Sequence, residues 1–415
     1  MSSRDARGCT VTGASPQALE HFERALAEFQ LGRSDPLVHV RGAVAEAPGF
    51  SMARIFEAYL CLGGRDPAGA GKAARALGEI APERLDSRER AHFAALAAAV
   101  AGEYEAAGGV LGSLLREHPR DALALQIAHS FDYLRGDAQA LRRRVEAVLP
   151  AWSAETPGYH AVLSMLAFGL EECGEYGRAE EAALHALQVE PRNVRAHHAI
   201  AHVLEMRGRP EEGLRWMRAR ESYWAGAGPM ARHHRWHLAL FQLEAEGTQR
   251  TLETYDRYIG IGASTISDLI DASALLWRLH LRGMDLGRRW AHLAESWAPH
   301  AEDVYCAFND LHAMMAFAGA ERWDLAHVLL AAQARRILQR GTNSEMTRLV
   351  GLPACRALHA FGHGDYREAE RLLSRLPPIA RHVGGSQAQR NVLELTRAAS
   401  RELARPAARA RSLAA

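Results

Sequence analysis

A pattern of small, apolar and turn residues recurs along the chain with a period of about 34 residues, and it constrains the fold more than any other feature. Its clearest copy runs from His160 to Arg192. This copy places apolar residues, a turn glycine, two small residues and a terminal proline at the expected spacing: Leu163, Leu166, Ala167, Gly174, Ala179, Ala186 and Pro191. Small residues let two helices approach closely, and the proline ends the second helix. Each copy therefore predicts one pair of helices.

A single helix pair cannot bury its apolar face alone, so neighbouring pairs stack and share a core. Less regular copies occupy four further segments: residues 88–119, 194–220, 233–260 and 350–378. Strand-like alternation is almost absent. This pattern is typical of tetratricopeptide repeats. We therefore predict an all-α, tetratricopeptide-like helical-repeat superhelix, that is, an α-solenoid.

The repeats define the expected domain organisation of the 415 residues. We expect a flexible N-terminus over residues 1–15 and a single α-solenoid over residues 16–400. Residues 401–415, which are rich in arginine and alanine, are expected to form a frayed tail.

Charge and cysteine content exclude several classes of protein. The 50 Lys and Arg residues nearly balance the 49 Asp and Glu residues, which argues against a nucleic-acid or anionic-membrane partner. The five cysteines are too widely spaced to indicate disulfides or a zinc–thiolate site. The N-terminus lacks an apolar signal core, and the chain contains no apolar run long enough to span a bilayer. We predict a cytoplasmic protein.

Between about residues 120 and 395 the chain resembles the tetratricopeptide repeat protein 38 family. Five sequence blocks carry the resemblance: His198–Met206, His233–Leu240, Phe308–His312, Gly351–Pro353 and Gly384–Arg390. The resemblance implies a helical-repeat fold and does not indicate a particular reaction. Its Gly-Gly-Ser-x-Ala-Gln-Arg block adds Gln387 and Arg390 as candidate ligand-binding residues.

The repeat register predicts which side chains line the concave surface. Positions 2, 5, 9 and 12 of each first helix share one face, because steps of three and four residues return to the same side. These and neighbouring positions carry mostly imidazole, carboxylate and aromatic groups: Phe168, Glu171, His198, His202, Glu205, His233, His234, His237, Phe241, Trp277, Asn309, Asp310 and His312. We expect them to form a polar pocket.

One interpretation of this pocket is a metal site. The pairs His198/His202 and His233/His237 each have the four-residue spacing that lets two imidazoles reach one ion from one helix. We predict that His198, His202 and His237 bind one divalent metal ion. Glu205, one turn beyond His202, would be a further ligand or a base acting on bound water.

The other chemical interpretation needs no metal. A histidine with a carboxylate partner transfers protons near neutral pH, which makes His202 with Glu205, and His312 with Asp310, candidate catalytic couples. Aromatic side chains would form the walls of the pocket: Phe168, Trp236, Phe241 and Trp277.

We therefore predict a pocket that binds a small polar molecule and acts on it, with metal assistance or through histidine–carboxylate acid–base chemistry. This favours an enzyme whose reaction class the sequence does not indicate. The second hypothesis is a non-catalytic scaffold that binds a peptide in an open groove. The third is a purely architectural subunit. Each histidine also has a purely structural interpretation, since buried imidazoles commonly bond to backbone carbonyls; His129 and His197 fit it best.

Overall fold

The structure of the protein is a computed structural model that describes residues 2–226, 228 and 230–405. Within these residues the chain is α-helical except for one short hairpin. It divides into two compact units, residues 1–234 and 235–415. Helix α14, Ala231–Ala245, begins in the first unit and ends in the second. No helix among the described residues is both long enough and apolar enough to cross a bilayer.

The first unit consists of successive helix pairs. Its helices are α1 Pro16–Leu31, α2 Leu37–Glu46, α3 Ser51–Leu62, α4 Pro67–Gly78, α5 Ser87–Val100, α6 Tyr104–Glu117, α7 Ala122–Leu134, α8 Ala138–Val148, α9 Tyr159–Glu172, α10 Tyr176–Val189, α11 Val194–Met206, α12 Pro210–Ala219 and α13 Glu221–Trp224, followed by the start of α14. Short 3-10 turns lie at Pro82–Arg84 and Leu149–Ala151. The clearest sequence repeat, residues 160–192, corresponds to the pair α9 and α10. The predicted all-α helical-repeat fold is confirmed.

A glycine in the left-handed conformation forms the turn within each of four consecutive pairs. These are Gly102, Gly136, Gly174 and Gly208, with φ between 62° and 80° and spacings of 34, 38 and 34 residues (136−102, 174−136, 208−174). In every case the residue after the glycine donates its backbone N–H to a carbonyl five residues earlier, at 2.9 Å. Glycine adopts this conformation without a Cβ penalty, so the turn ends one helix and starts the next.

A β-hairpin precedes the helices. Strand β1, Ser2–Arg4, pairs antiparallel with β2, Thr10–Thr12. Polar contacts hold the hairpin against α5, since Glu89 accepts from Thr12 and Arg88 donates to the Thr10 carbonyl. The sequence did not predict this hairpin, because two three-residue strands carry too little alternation to detect. The expected domain bounds (1–15, 16–400 and 401–415) stay a prediction, and residues 406–415 lie outside the described residues.

The C-terminal turn of α1 packs against two distant helices of the first unit. The Phe29 carbonyl accepts hydrogen bonds from Gln126 of α7 at 3.0 Å and from Arg195 of α11 at 3.3 Å. A Cβ on Gly158, just before α9, would lie 2.7 Å from the amide of Gln30. The end of α1 therefore closes off the N-terminal ends of α7, α9 and α11.

The second unit is a further set of packed helices. They are the end of α14, α15 Thr248–Thr254, α16 Ile266–Leu281, α17 Arg288–Trp297, α18 Ala307–Gly319, α19 Trp323–Arg336, α20 Thr342–Met346, α21 Leu352–Gly362, α22 Tyr366–Leu373 and α23 Gln387–Leu403. Two π-helical turns, Tyr255–Ile259 and Thr347–Gly351, and two 3-10 turns, Ala298–His300 and Ala380–Val383, extend or join them. Large aromatic side chains fill its core, among them Trp277, Trp297, Phe308 and Phe317.

One carboxylate lies deep in this second core. Asp310 on α18 is 3% exposed and accepts a hydrogen bond from Gln333 of α19 at 3.0 Å. Gln333 also contacts the buried thiol of Cys355 at 3.4 Å. Burial raises the pKa of Asp310 to about 7, and the Gln333 bond opposes this only in part.

Asp310→Asn is expected to stabilise the protein more at pH 8 than at pH 5. The raised pKa means that the folded state binds a proton between about pH 4 and 7 that the unfolded state has lost, so wild-type stability falls across this range as the pH rises. The asparagine side chain carries no titrating proton, so the variant avoids this decrease in the free energy of unfolding, which is on the order of 1–3 kcal/mol. Denaturant unfolding at the two pH values measures it. Exposed Glu302→Gln is the control, and equal effects of Asp310→Asn at both pH values would contradict the prediction.

Candidate functional site

Three imidazoles of the first unit converge between α11 and α14. His198 and His202 lie one turn apart on α11, and His233 lies in the first turn of α14. Nε2 of His198 is 3.0 Å from Nε2 of His202 and 3.0 Å from Nε2 of His233. His202 is fully buried, whereas the other two are half-buried. The four-residue spacing on α11 and the neighbouring helix together place three ring nitrogens around one point.

These contacts are poorly explained as ordinary hydrogen bonds. A neutral imidazole nitrogen either donates one proton or offers one lone pair. The single Nε2 of His198 would have to serve two close nitrogen neighbours at once. A metal ion with N-ligand distances of about 2.0–2.1 Å and tetrahedral angles separates its ligand nitrogens by about 3.3 Å. The observed separations of 3.0 Å are close to this value.

A fourth histidine lies further along α14. His237 follows His233 by four residues on α14 and belongs to the second unit, so its role as a metal ligand stays a prediction. The sequence predicted His198, His202 and His237 as metal ligands and His233 as a ligand-binding residue. The geometry places His233 among the potential metal ligands as well.

A carboxylate lies on the opposite side of the His202 ring. Nδ1 of His202 is 3.3 Å from Oε2 of Glu171, and both side chains are fully buried. Glu171 and Glu172 end α9, and both have carboxylate oxygens within 4.8 Å of His202. A carboxylate on the second ring nitrogen fixes the tautomer of a histidine and directs its other nitrogen toward a metal. Glu171 is therefore placed to orient His202.

Phe168 forms an aromatic wall beside the imidazoles. Its ring stacks on that of His198 at 5.9 Å between centroids and 17° between planes, and it meets His202 edge-on at 5.5 Å. Tyr133 and His129 of α7 pack on the other side of Phe168. These contacts restrict the rotation of the imidazoles, which favours a preorganised site.

His234 has a different environment from its neighbour His233. Its Nδ1 lies 3.0 Å from the carbonyl of Met230, and its ring stacks on Trp224. Burial lowers the pKa of His234 to about 3, so this imidazole is neutral at physiological pH. The ring of His234 also lies 5.7 Å from that of His198 between centroids, so His234 borders both the core and the candidate site. Its assignment as a ligand-binding residue stays a prediction. Trp224, which the sequence analysis did not single out, forms this part of the core.

His129 and His197, which the sequence assigned to structural roles, also bond to backbone carbonyls. Nε2 of His129 contacts the Met165 carbonyl at 3.1 Å, and Nε2 of His197 contacts that of Pro191 at 3.0 Å. Burial lowers their pKa values to about 3 and about 4.

Glu205 lies in the last turn of α11 and is half-buried. The carboxylate found at Nδ1 of His202 belongs to Glu171 of the preceding pair. The assignment of Glu205 as a ligand or base stays a prediction.

The remaining candidates lie in the second unit, and their approach to the histidines stays a prediction. Trp236 and Phe241, on α14, are buried. Trp277 is also buried and donates to the hydroxyl of Thr396 at 2.9 Å. Asn309 is buried on α18 beside Asp310. Trp236 and Trp277 pack in the core of this unit.

Asp310 and His312 do not share one face of α18, because residues two apart on a helix point in different directions. Asp310 bonds to Gln333, and Nδ1 of His312 lies 2.7 Å from the Phe308 carbonyl. Gln387 begins α23. Arg390, one turn later, donates to the Gly385 carbonyl.

Comparison with known proteins adds little to this description. No family model matches the chain. A solved structure, the tetratricopeptide-repeat domain of P58(IPK), aligns with 94% of this chain and 99% of its own length at 13% identity and a TM-score of 0.22. At this TM-score the alignment carries no argument about fold or function. The assignment to tetratricopeptide-like helix pairs rests on the helices and turns described above.

We expect His129 and His234 to remain neutral between pH 5 and 8, because burial lowers both pKa values to about 3. Their depressed pKa values also mean that stability falls as the pH drops below about 6.5, since only the unfolded chain then takes up the protons. Nitrogen-15 NMR of labelled histidines, assigned with His129→Asn and His234→Asn, measures the protonation. Titration of either ring above pH 5 would contradict the expected environment.

Proposed function

We propose that the first unit binds one divalent transition-metal ion through His198, His202 and His233, and that this centre binds a small polar molecule and acts on it. The participation of His237, which lies in the second unit, stays a prediction. The proposal rests on the 3.0 Å separations of Nε2 of His198 from Nε2 of His202 and from Nε2 of His233. The carboxylate of Glu171 on the far nitrogen of His202 supports it, because ligating histidines commonly have such a partner.

The ligand set indicates the class of metal. Imidazole nitrogens suit zinc, copper, nickel and iron, whereas magnesium and calcium prefer oxygen ligands. None of these ligands is a thiolate, so the site differs from structural zinc–cysteine sites.

The number of bound imidazoles decides what the metal does. Four imidazoles would close a tetrahedral site and leave a structural role, whereas three would leave a position for water or substrate. In the open case the metal lowers the pKa of bound water. Glu172, 9% exposed and with a carboxylate oxygen within 4.8 Å of His202, is then a candidate base. The enzymatic activity itself stays a prediction.

The peptide-binding alternative requires an open groove along the inner helices. Within the first unit, the Phe29 carbonyl at the end of α1 already bonds to Gln126 of α7 and Arg195 of α11. The chain itself thus occupies the N-terminal ends of these helices. This contact favours a small ligand over an extended peptide.

The resemblance to the tetratricopeptide repeat protein 38 family and the cytoplasmic location stay predictions. The catalytic roles assigned to Asp310 and His312 also stay predictions.

Protein purified without an affinity tag is expected to contain about one transition-metal ion per chain, and His202→Ala and His233→Ala are expected to lose most of it. Metal analysis by mass spectrometry measures the content. His185→Ala, which removes an exposed imidazole of the first unit, is the control and should retain the metal. Retention of metal by His237→Ala would indicate the open, three-imidazole site.

Two results would contradict the metal proposal. One is wild-type protein that takes up no zinc, copper, nickel or iron after reconstitution. The other is equal metal content in His202→Ala and wild type when circular dichroism shows that both are folded.

Bound metal should also dissociate as the pH falls below about 6, because protonated imidazoles cannot coordinate.

Glu171→Gln is expected to weaken metal binding about 10–100-fold without abolishing it, since the amide orients His202 less strongly than a carboxylate. Competition with a chromogenic chelator measures the affinity. Glu181→Gln, an exposed glutamate on α10, is the control. An unchanged affinity in Glu171→Gln would show that this carboxylate does not act through His202.

A further inference from the structure

Arg195 lies on α11 one turn before His198, on the same face of the helix. Nε and Nη2 of its guanidinium group lie 3.4 and 3.3 Å from the Phe29 carbonyl, and the group lies 5.6 Å from the Phe29 ring centre. Among the described residues no carboxylate pairs with Arg195.

A guanidinium without a carboxylate partner is unusual in such a position. Protein atoms surround Arg195 closely, and burial lowers its pKa to about 10. The positive charge of Arg195 also helps to lower the pKa of His129 on the neighbouring helix. A buried charge is costly unless an opposite charge offsets it, and two long bonds to a single carbonyl offset little.

Further polar groups beside Arg195 are incompletely bonded. Gln126, 3% exposed, donates to the Phe29 carbonyl that Arg195 also contacts, but its Oε1 has no hydrogen-bond partner among the described residues. Nε2 of Gln30, also 3% exposed, likewise has none there. Arg195 itself keeps intermediate exposure, so solvent reaches part of its side chain.

We propose that Arg195 is an anion-binding residue, and that the small molecule bound by the first unit carries a carboxylate or phosphate group that pairs with this guanidinium. An arginine presents two parallel N–H groups that match such oxyanions. The group would neutralise the buried charge, while Gln126 accepts a bond from a neighbouring donor of the ligand. The rest of the molecule would extend one helical turn toward His198.

This inference deepens the proposed function, because it gives the chemical class of the small polar molecule. Anion binding at Arg195 does not itself require the metal. The experiment therefore uses full-length protein stripped of metal with EDTA and then freed of the chelator. A failure of the metal proposal would leave its result unaffected.

Calorimetric titration with inorganic phosphate, and separately with succinate, at constant ionic strength tests the inference. At least one of the two anions should bind wild type saturably, and the stronger of them identifies the phosphate or the carboxylate source. Arg195→Met should raise the Kd at least about ten-fold, as expected for the loss of a charge-assisted pair. Arg207→Met, at the exposed C-terminal end of α11, should bind as wild type does.

A second measurement distinguishes anion binding from a purely structural role, in which Arg195 only stabilises the packing of α1 against α11. Arg195→Met removes an uncompensated buried charge, so its melting temperature without anions should equal or exceed that of wild type. Arg195→Lys keeps the charge and the stem but loses the planar pair of donors, and it should bind the anion several-fold more weakly. The lysine variant decides the question if the methionine variant does not fold.

Three results would overturn the inference. They are no saturable binding of either anion to wild type, an unchanged Kd in the Arg195 variants, and destabilisation of Arg195→Met with anion binding intact. The last result would show that Arg195 only stabilises the packing of α1 against α11. Normal metal content in Arg195→Met would show that the anion site and the metal site fail independently.

Discussion

The side-by-side packing of α9, α11 and the start of α14 is the constraint on which the candidate site depends. Each helix presents one face to the same region, and that face repeats every three to four residues. Phe168 and Glu171 on α9 therefore meet His198 and His202 on α11. Turn glycines such as Gly174 adopt a positive φ that lets the chain reverse direction within each pair. A site assembled in this way needs no loop to position its ligands, so its geometry is as rigid as the helix packing.

The sequence predicts the fold well where local rules decide it. Gly174 stood out as the turn residue of the clearest repeat, and it has the positive φ that a tight helical turn requires. The N-terminal hairpin escaped prediction, because its stability comes from tertiary contacts of Thr12 with Glu89 rather than from its own sequence pattern. The division into two units was also not predicted, since it lies inside the single continuous helix α14.

The candidate site, like the fold, was predictable from the sequence where a local pattern decides it. The four-residue spacing identified His198 with His202 and His233 with His237, and His198 has ring-nitrogen contacts with both His202 and His233. Spacing alone did not separate His233 from His234, because adjacent residues differ by about 100° around a helix and a small error in register exchanges them. The contact of Arg195 with Phe29 joins helices far apart in the sequence, and no local pattern reports such a contact.

The bond between Phe29 and Arg195 spans 166 residues of sequence, and this distance has a consequence for how the first unit folds. In an open repeat array each pair contacts only its neighbours, so folding spreads along the chain and the ends unravel independently. Here the contact between α1 and α11 must enclose a long loop, and the entropic cost of closing that loop grows only slowly with its length. The first helix is thus tied to the eleventh, and unravelling from the N-terminus would disturb the helix that carries the imidazoles.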